Sequence, residues 1–152
     1  HTVMGDNLPL RSSKGDVYEG GVRVPAFANW PGLISPRALS YPLHIVDWMP
    51  TFCALAGYAP PRDLGWDGRD VGPVLIAGVV PEPRTFYWKT PGASAVREGD
   101  WKLVAPNNSD KLELYNVVED PYEERDLAAE QPERVDALRK RMSDIAAKDR
   151  KR

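Results

Sequence analysis

One cysteine and two histidines among 152 residues exclude a good deal at the outset. A lone Cys53 cannot close an internal disulfide, and no second thiol or nearby His pair joins it as a metal set. Its setting, Pro50-Thr51-Phe52-Cys53-Ala54-Leu55, reads as a buried structural thiol rather than a nucleophile. Any Ser-His-Asp or Cys-His arrangement would have to use His44, since the other histidine is His1. His44 lies close before Asp47, and the pair reads as a structural hydrogen bond at a helix start. Charge of one sign is also missing: 20 basic and 22 acidic residues leave a net charge of −2, which gives no electrostatic case for nucleic acid or an anionic membrane. The cations gathered at the end, Lys148, Arg150, Lys151 and Arg152, suit a solvated helix terminus. No apolar run approaches the roughly 20 residues of a membrane span. A start methionine and a charged-then-apolar leader are lacking too, so no targeting signal is visible, and His1 suggests a sequence that begins mid-protein or after a tag. The compartment stays open.

Turn formers are plentiful, with 15 prolines and 12 glycines. An apolar run over 22–30 reads as a strand, ended by Trp30-Pro31-Gly32. Residues 47–56 read as a short helix with Asp47 as cap, Gly57 as stop, and Val46, Met49, Phe52, Cys53, Leu55 and Ala56 on its buried side. A helical turn is expected over 74–77. From residue 84 the pattern becomes strand-like: 85–88, 94–97, 101–105 and 112–117, with Glu98-Gly99-Asp100 as a three-residue hairpin loop. Pro132 then opens an amphipathic helix whose stripe, Val135, Leu138, Met142 and Ile145, should cover one face of the sheet. The acidic run Glu119 to Glu124 reads as a solvated loop.

One segment concentrates groups able to do chemistry: Pro9-Leu10-Arg11-Ser12-Ser13-Lys14-Gly15, continuing to Glu19-Gly20-Gly21-Val22-Arg23-Val24-Pro25. Glycines let backbone approach a ligand closely, and a lysine is a compact cation with three donors. Such a loop suits an oxyanion, although the spacing is not that of a P-loop and an ordinary charged surface loop reads the same way. Asp6 and Asn7 are oxygen donors but too few for a cation cage.

This segment resembles the sulfatase signature: Pro-Leu-Arg, Lys-Gly, Glu-Gly-Gly-x-Arg-x-Pro and Trp-Pro-Gly occur here as Pro9-Leu10-Arg11, Lys14-Gly15, Glu19-Gly20-Gly21, Arg23, Pro25 and Trp30-Pro31-Gly32. The likeness continues, in order, through Asp47-Trp48-Met49-Pro50-Thr51, Trp66-Asp67-Gly68, Trp101-Lys102-Leu103, Leu114-Tyr115-Asn116, Asp120-Pro121 and Asp126-Leu127. The resemblance implies an α/β enzyme that hydrolyses sulfate esters of carbohydrates or aryl groups. Residues 1–83 would be the tail of its catalytic domain. Residues 84–152 would be a small antiparallel sheet packed by a C-terminal helix, so that this stretch alone is α+β. It further implies a formylglycine nucleophile and a Ca²⁺ or Mg²⁺ ion in the full-length enzyme, and a periplasmic, extracellular or lysosomal setting.

Lys14 matches the family's lysine, which implies a catalytic and substrate-binding role on a sulfate oxygen. In the same reading Glu19, Gly20 and Gly21 shape the turn that positions Lys14, and Arg11 and Arg23 brace it through ion pairs. Cys53 lacks the Pro/Ala and Arg that follow a formylglycine precursor, and Asp6-Asn7 lies too near Lys14 to be the family's metal pair; no metal ligand is assigned. The five tryptophans read as core or subdomain-interface aromatics. This stretch should not turn over substrate alone. Other readings are a non-catalytic module of sulfatase ancestry and a phosphonate or phosphate ester hydrolase. Apolar surface over 22–30 would favour self-association.

Overall fold

The computed structural model describes residues 7–149; His1, Asp6 and the cations at 150–152 lie outside them. The chain divides into two compact units, one joining the residues through Pro25 to those from Pro83 onward, the other running Ala26–Glu82. The division expected at 83/84 differs from this grouping in the first 25 residues, which cluster with the sheet.

The first unit is built on four antiparallel strands in sequence order, β1 (Thr85–Lys89), β2 (Ala93–Glu98), β3 (Trp101–Pro106) and β4 (Glu113–Asn116). Glu98 pairs with Trp101, so the β2–β3 loop has two residues rather than the three expected. Gly99 sits first in it at φ 61°, the positive value that two-residue hairpin turns favour at that place. The period-2 alternation of a strand gives the sheet two faces. Val96, Leu103 and Leu114 point to one, where Leu138 and Met142 of α4 (Pro132–Asp149) bury against them, with Val135 and Ile145 half-buried alongside. That is the stripe the sequence marks. Ala95, Val104 and Tyr115 point to the other face, which is covered by Val17 and Tyr18, residues just before the one-turn helix α1 (Glu19–Val22). The lysine-bearing loop therefore packs on the sheet.

In the second unit a 3₁₀ turn (Ile45–Asp47) leads into α2 (Trp48–Leu55), and α3 (Gly72–Ala77) follows. Asp47 does not cap α2 as expected. Its carboxylate accepts from the His44 backbone N–H at 2.8 Å and the Arg69 N–H at 3.0 Å, while the His44 ring accepts from Val46 N–H at 3.4 Å. Asp47 thus closes the 3₁₀ turn and ties in a distant segment. Thr51 extends the arrangement, donating to the Asp47 carbonyl and accepting from Val71 N–H. At the other end of α2, Gly57 is left-handed at φ 68°; its N–H reaches the Ala54 carbonyl and that of Tyr58 reaches Cys53, the Schellman stop that a glycine allows.

Two expectations fail here. The run 22–30 forms no strand among the described residues, since a strand needs a neighbour for its ladder and none is present. The buried side of α2 is Pro50 and Thr51, not the residues expected: Met49 and Phe52 are more than half exposed, as are Ile45 and Phe27, the last at 93%. Trp30 and Trp66 are exposed as well, and Cys53 is only half-buried. No helix among the described residues is long and apolar enough to cross a membrane.

Candidate functional site around Lys14

Lys14 and Gly15 form the tip of a turn, with Gly15 at φ 100° and Ser12 at φ 66°. Local bonds hold this unusual backbone. Asp16 accepts from the Ser12 hydroxyl at 2.6 Å and from Val17 N–H at 2.7 Å, so both of its oxygens serve the turn. Gly20 N–H donates to the Arg11 carbonyl at 2.8 Å and Asp16 N–H to that of Ser13 at 3.2 Å. The two glycines of α1 are what permit this closeness. A Cβ on Gly20 would strike the Ser12 and Arg11 carbonyl oxygens, and one on Gly21 the Asp16 oxygen. Lys14 is thereby fixed at the backbone while its side chain stays exposed.

Behind the turn, Arg11 spans from loop to sheet. It donates to the Tyr115 hydroxyl at 2.6 Å and the Glu123 carbonyl at 3.2 Å, pairs with Glu113 at 3.3 Å, and lies 3.9 Å over the Tyr18 ring. Burial, together with hydrogen bonds donated to Glu113, pushes both the Tyr18 and Tyr115 hydroxyls well above the ordinary tyrosine range. Both phenols therefore stay protonated donors. Arg23 braces less closely, 3.9 Å from Glu19.

Beneath this lies a cluster that the motif reading missed. Lys102 on β3 is 0% exposed, and its ammonium stands 2.9 Å from both Glu19 Oε1 and Glu123 Oε1. Glu123 Oε2 accepts from Glu19 N–H at 2.7 Å, which fastens the start of α1 to the loop after β4. Glu123 Oε1 has no aligned hydrogen-bond donor among the described residues, so its link to Lys102 is a charge pairing. Burial pushes the Glu123 carboxyl above the usual carboxylate range, against the opposing pull of Lys102 and the Glu19 N–H. The acidic run is therefore not wholly solvated: Glu123 is 2% exposed, at φ 57°. A signal existed in the alternation of β3, which puts Lys102 on the same face as Val104, but a lysine in a short strand reads ordinarily as an edge charge.

Lys14 lines an open recess of about 440 Å³ with Ser12, Ser13, Asp16, Tyr18, and, from the sheet side, Gly92, Ala93, Pro106 and Asn108. Among the described residues no three His, Cys, Asp or Glu side chains gather as a metal cage. The described residues thus do not fit a divalent cation, and the chemistry they offer is that of Lys14 and its surroundings. Asn7 donates to the Gly20 carbonyl at 2.6 Å, a structural use. His44 begins the 3₁₀ turn and Cys53 lies within α2, both in the second unit.

No family model matches the sequence. Among curated proteins, a sulfatase of Formosa agariphila is 32% identical over 84% of this chain and 26% of its own length. Human arylsulfatase A is 41% identical over 61% of the chain and 19% of its own length. N-acetylgalactosamine-6-sulfatase of Canis lupus familiaris is 38% identical over 64% and 19%. Among solved structures, that of Ps i-CgsB superposes with a TM-score of 0.79 at 29% identity, covering 91% of this chain and 32% of that one. The same protein has been solved with k-i-k-neocarrahexaose. The chain spans about a quarter of the length of the first of these relatives.

Proposed function

Because this chain belongs to the sulfatase family and matches its C-terminal portion, we propose that it supplies the lysine wall of a sulfate-ester hydrolase. In that reading residues 1–83 are the tail of the catalytic domain and 84–152 its C-terminal subdomain. The observation that carries it is Lys14: an exposed ammonium, held on a backbone fixed by Asp16 and the Gly20-Gly21 pair, and facing an open recess. A cation placed so binds a sulfate oxygen in the ground state. It also stabilises the negative charge that grows on the bridging oxygen as the S–O bond breaks, the role in which preorganised electrostatics is worth most. The ester's alcohol portion is a carbohydrate or aryl group.

Turnover requires groups that this chain does not carry, since its sequence contains no Cys/Ser-x-Pro/Ala-x-Arg segment and its described residues form no metal cage. Titration with inorganic sulfate, followed by NMR, should give saturable shifts at Lys14 and Gly15 that vanish in Lys14→Ala. No response at Lys14 would overturn the assignment. Incubation with a chromogenic aryl sulfate and Ca²⁺ should release no product, and release that depends on Lys14 would show the chain to be self-sufficient.

A further inference from the structure

We propose that Glu123 is a positioning residue for Lys14, gripping both sides of the loop that carries it and so setting how tightly that lysine holds an oxyanion; the inference rests on the reading of Lys14 as the sulfate contact. Glu123 sits in the loop after β4, 112 residues along the chain from Arg11 and 104 from Glu19. Its backbone carbonyl accepts from the Arg11 guanidinium at 3.2 Å, and its carboxylate Oε2 accepts from Glu19 N–H at 2.7 Å. Arg11 and Glu19 stand on opposite sides of Lys14, where Gly20 N–H closes the neck of the loop on the Arg11 carbonyl at 2.8 Å. A single residue thus holds both stems. Glu113 also reaches both, at Arg11 and Tyr18, but its side chain is 16% exposed, whereas that of Glu123 is 0% exposed and grips from the interior.

The way Glu123 is held sets it apart from an ordinary packing residue. Its backbone takes φ 57°, in the left-handed region where a side chain is strained. Its Oε1 faces the Lys102 ammonium at 2.9 Å with no aligned hydrogen-bond donor among the described residues. Apolar side chains often fill such space with no loss of stability, and strained residues persist where their surroundings hold them to one geometry. The geometry held here is that of the two loop stems. Lys102 supports it by standing 2.9 Å from Glu19 Oε1 as well, which keeps both carboxylates between the sheet and α1.

The test compares Glu123→Gln, Glu123→Ala and Glu123→Gly in the 152-residue chain, by NMR with inorganic sulfate as probe and by thermal midpoint. A carboxamide has one acceptor oxygen where a carboxylate has two, so Glu123→Gln can keep the Glu19 N–H or Lys102 but not both. Lys102 retains Glu19, so the sheet should stay folded. Amides over 12–16 should shift and lose order while those of β2 and α4 do not. Sulfate at Lys14 should weaken by about 10-fold, the lower end of what losing a supporting contact costs at metal centres.

Glu123→Ala and Glu123→Gly separate positioning from stability. Both remove the carboxylate, but only glycine takes φ 57° without strain, so their midpoints should differ while sulfate weakens alike. Sulfate affinity that follows the midpoint across the three variants, or that is unchanged in Glu123→Gln, would overturn the proposal. If the wild type gives no sulfate response at Lys14, the sulfate reading falls, and the amides over 12–16 judge the grip by themselves. Order lost there in Glu123→Gln would support it, and order retained would overturn it.

Discussion

Lys102 carries its charge where solvent does not reach, 2.9 Å from two carboxylates that are themselves buried. Removing one partner of a buried ionic cluster leaves the others uncompensated, and such losses run to about 3–5 kcal/mol. Lys102→Met should therefore lower unfolding free energy by about that much in urea titration, and adding Glu19→Gln and Glu123→Gln should restore most of it. A single-variant loss near zero would mean that the cluster does not hold the loop. Asp126 offers a separate test by pH. Its oxygens accept from the Leu114 and Ala128 N–H groups and pair with Lys111 at 3.0 Å. Against the opposing effect of burial, these hold its carboxyl below the ordinary aspartate range. A depressed folded value contributes stability above the unfolded pKa and loses it as pH falls through the folded one. Wild type should thus exceed Asp126→Asn in stability at neutral pH, with the gap closing in strong acid. At this scale the sequence was readable where a residue belonged to a motif, as Arg11 did, whose expected ion pair is made with Glu113. It was unreadable where partners lie far apart in the chain, because nothing local to Lys102 or Glu123 marks them as neighbours.

Among the elements, α1 is one turn long, too short to be stable on its own propensity, so its place depends on contacts with the lysine loop. Gly21 is the sharpest probe of that dependence. An added Cβ would meet the Asp16 backbone oxygen, and backbone cannot move aside as a flexible side chain can. Gly21→Ala should displace residues 12–16 and abolish the sulfate response at Lys14, while α4 and the sheet keep their amide shifts. Retention of the sulfate response would show that the loop tolerates the added carbon. The glycines thus act by close approach of helix to loop, a more specific role than the turn-shaping the motif suggested. Helix α4 and the strand positions were legible because their periods, 3.6 and 2, appear in the order of residues itself. The run 22–30 was misread for the converse reason. Val22, Val24 and Phe27 favour strand locally, but a strand exists only with a ladder partner, and the described residues provide none.

At the scale of the whole molecule the apolar core is unevenly shared. The sheet unit buries two clusters, one on each face of the sheet. Within Ala26–Glu82 the buried apolar side chains are Pro50, Val71 and Val74, and much of the remaining order comes from the polar bonds of Asp47 and Thr51. Local opening free energy follows buried apolar contact, so amides of β2 and β3 should exchange slowest in native-state hydrogen exchange. Those of α2 and α3 should exchange orders of magnitude faster, without global unfolding. The same unit leaves Ile45, Met49 and Phe52 exposed at helical spacing, an arrangement that disfavours a dispersed monomer. Sedimentation velocity should accordingly show concentration-dependent association, reduced by Met49→Ser with Phe52→Ser. A strict monomer over the soluble range would argue that this face is tolerated in water, and equal protection across both units would contradict the uneven core.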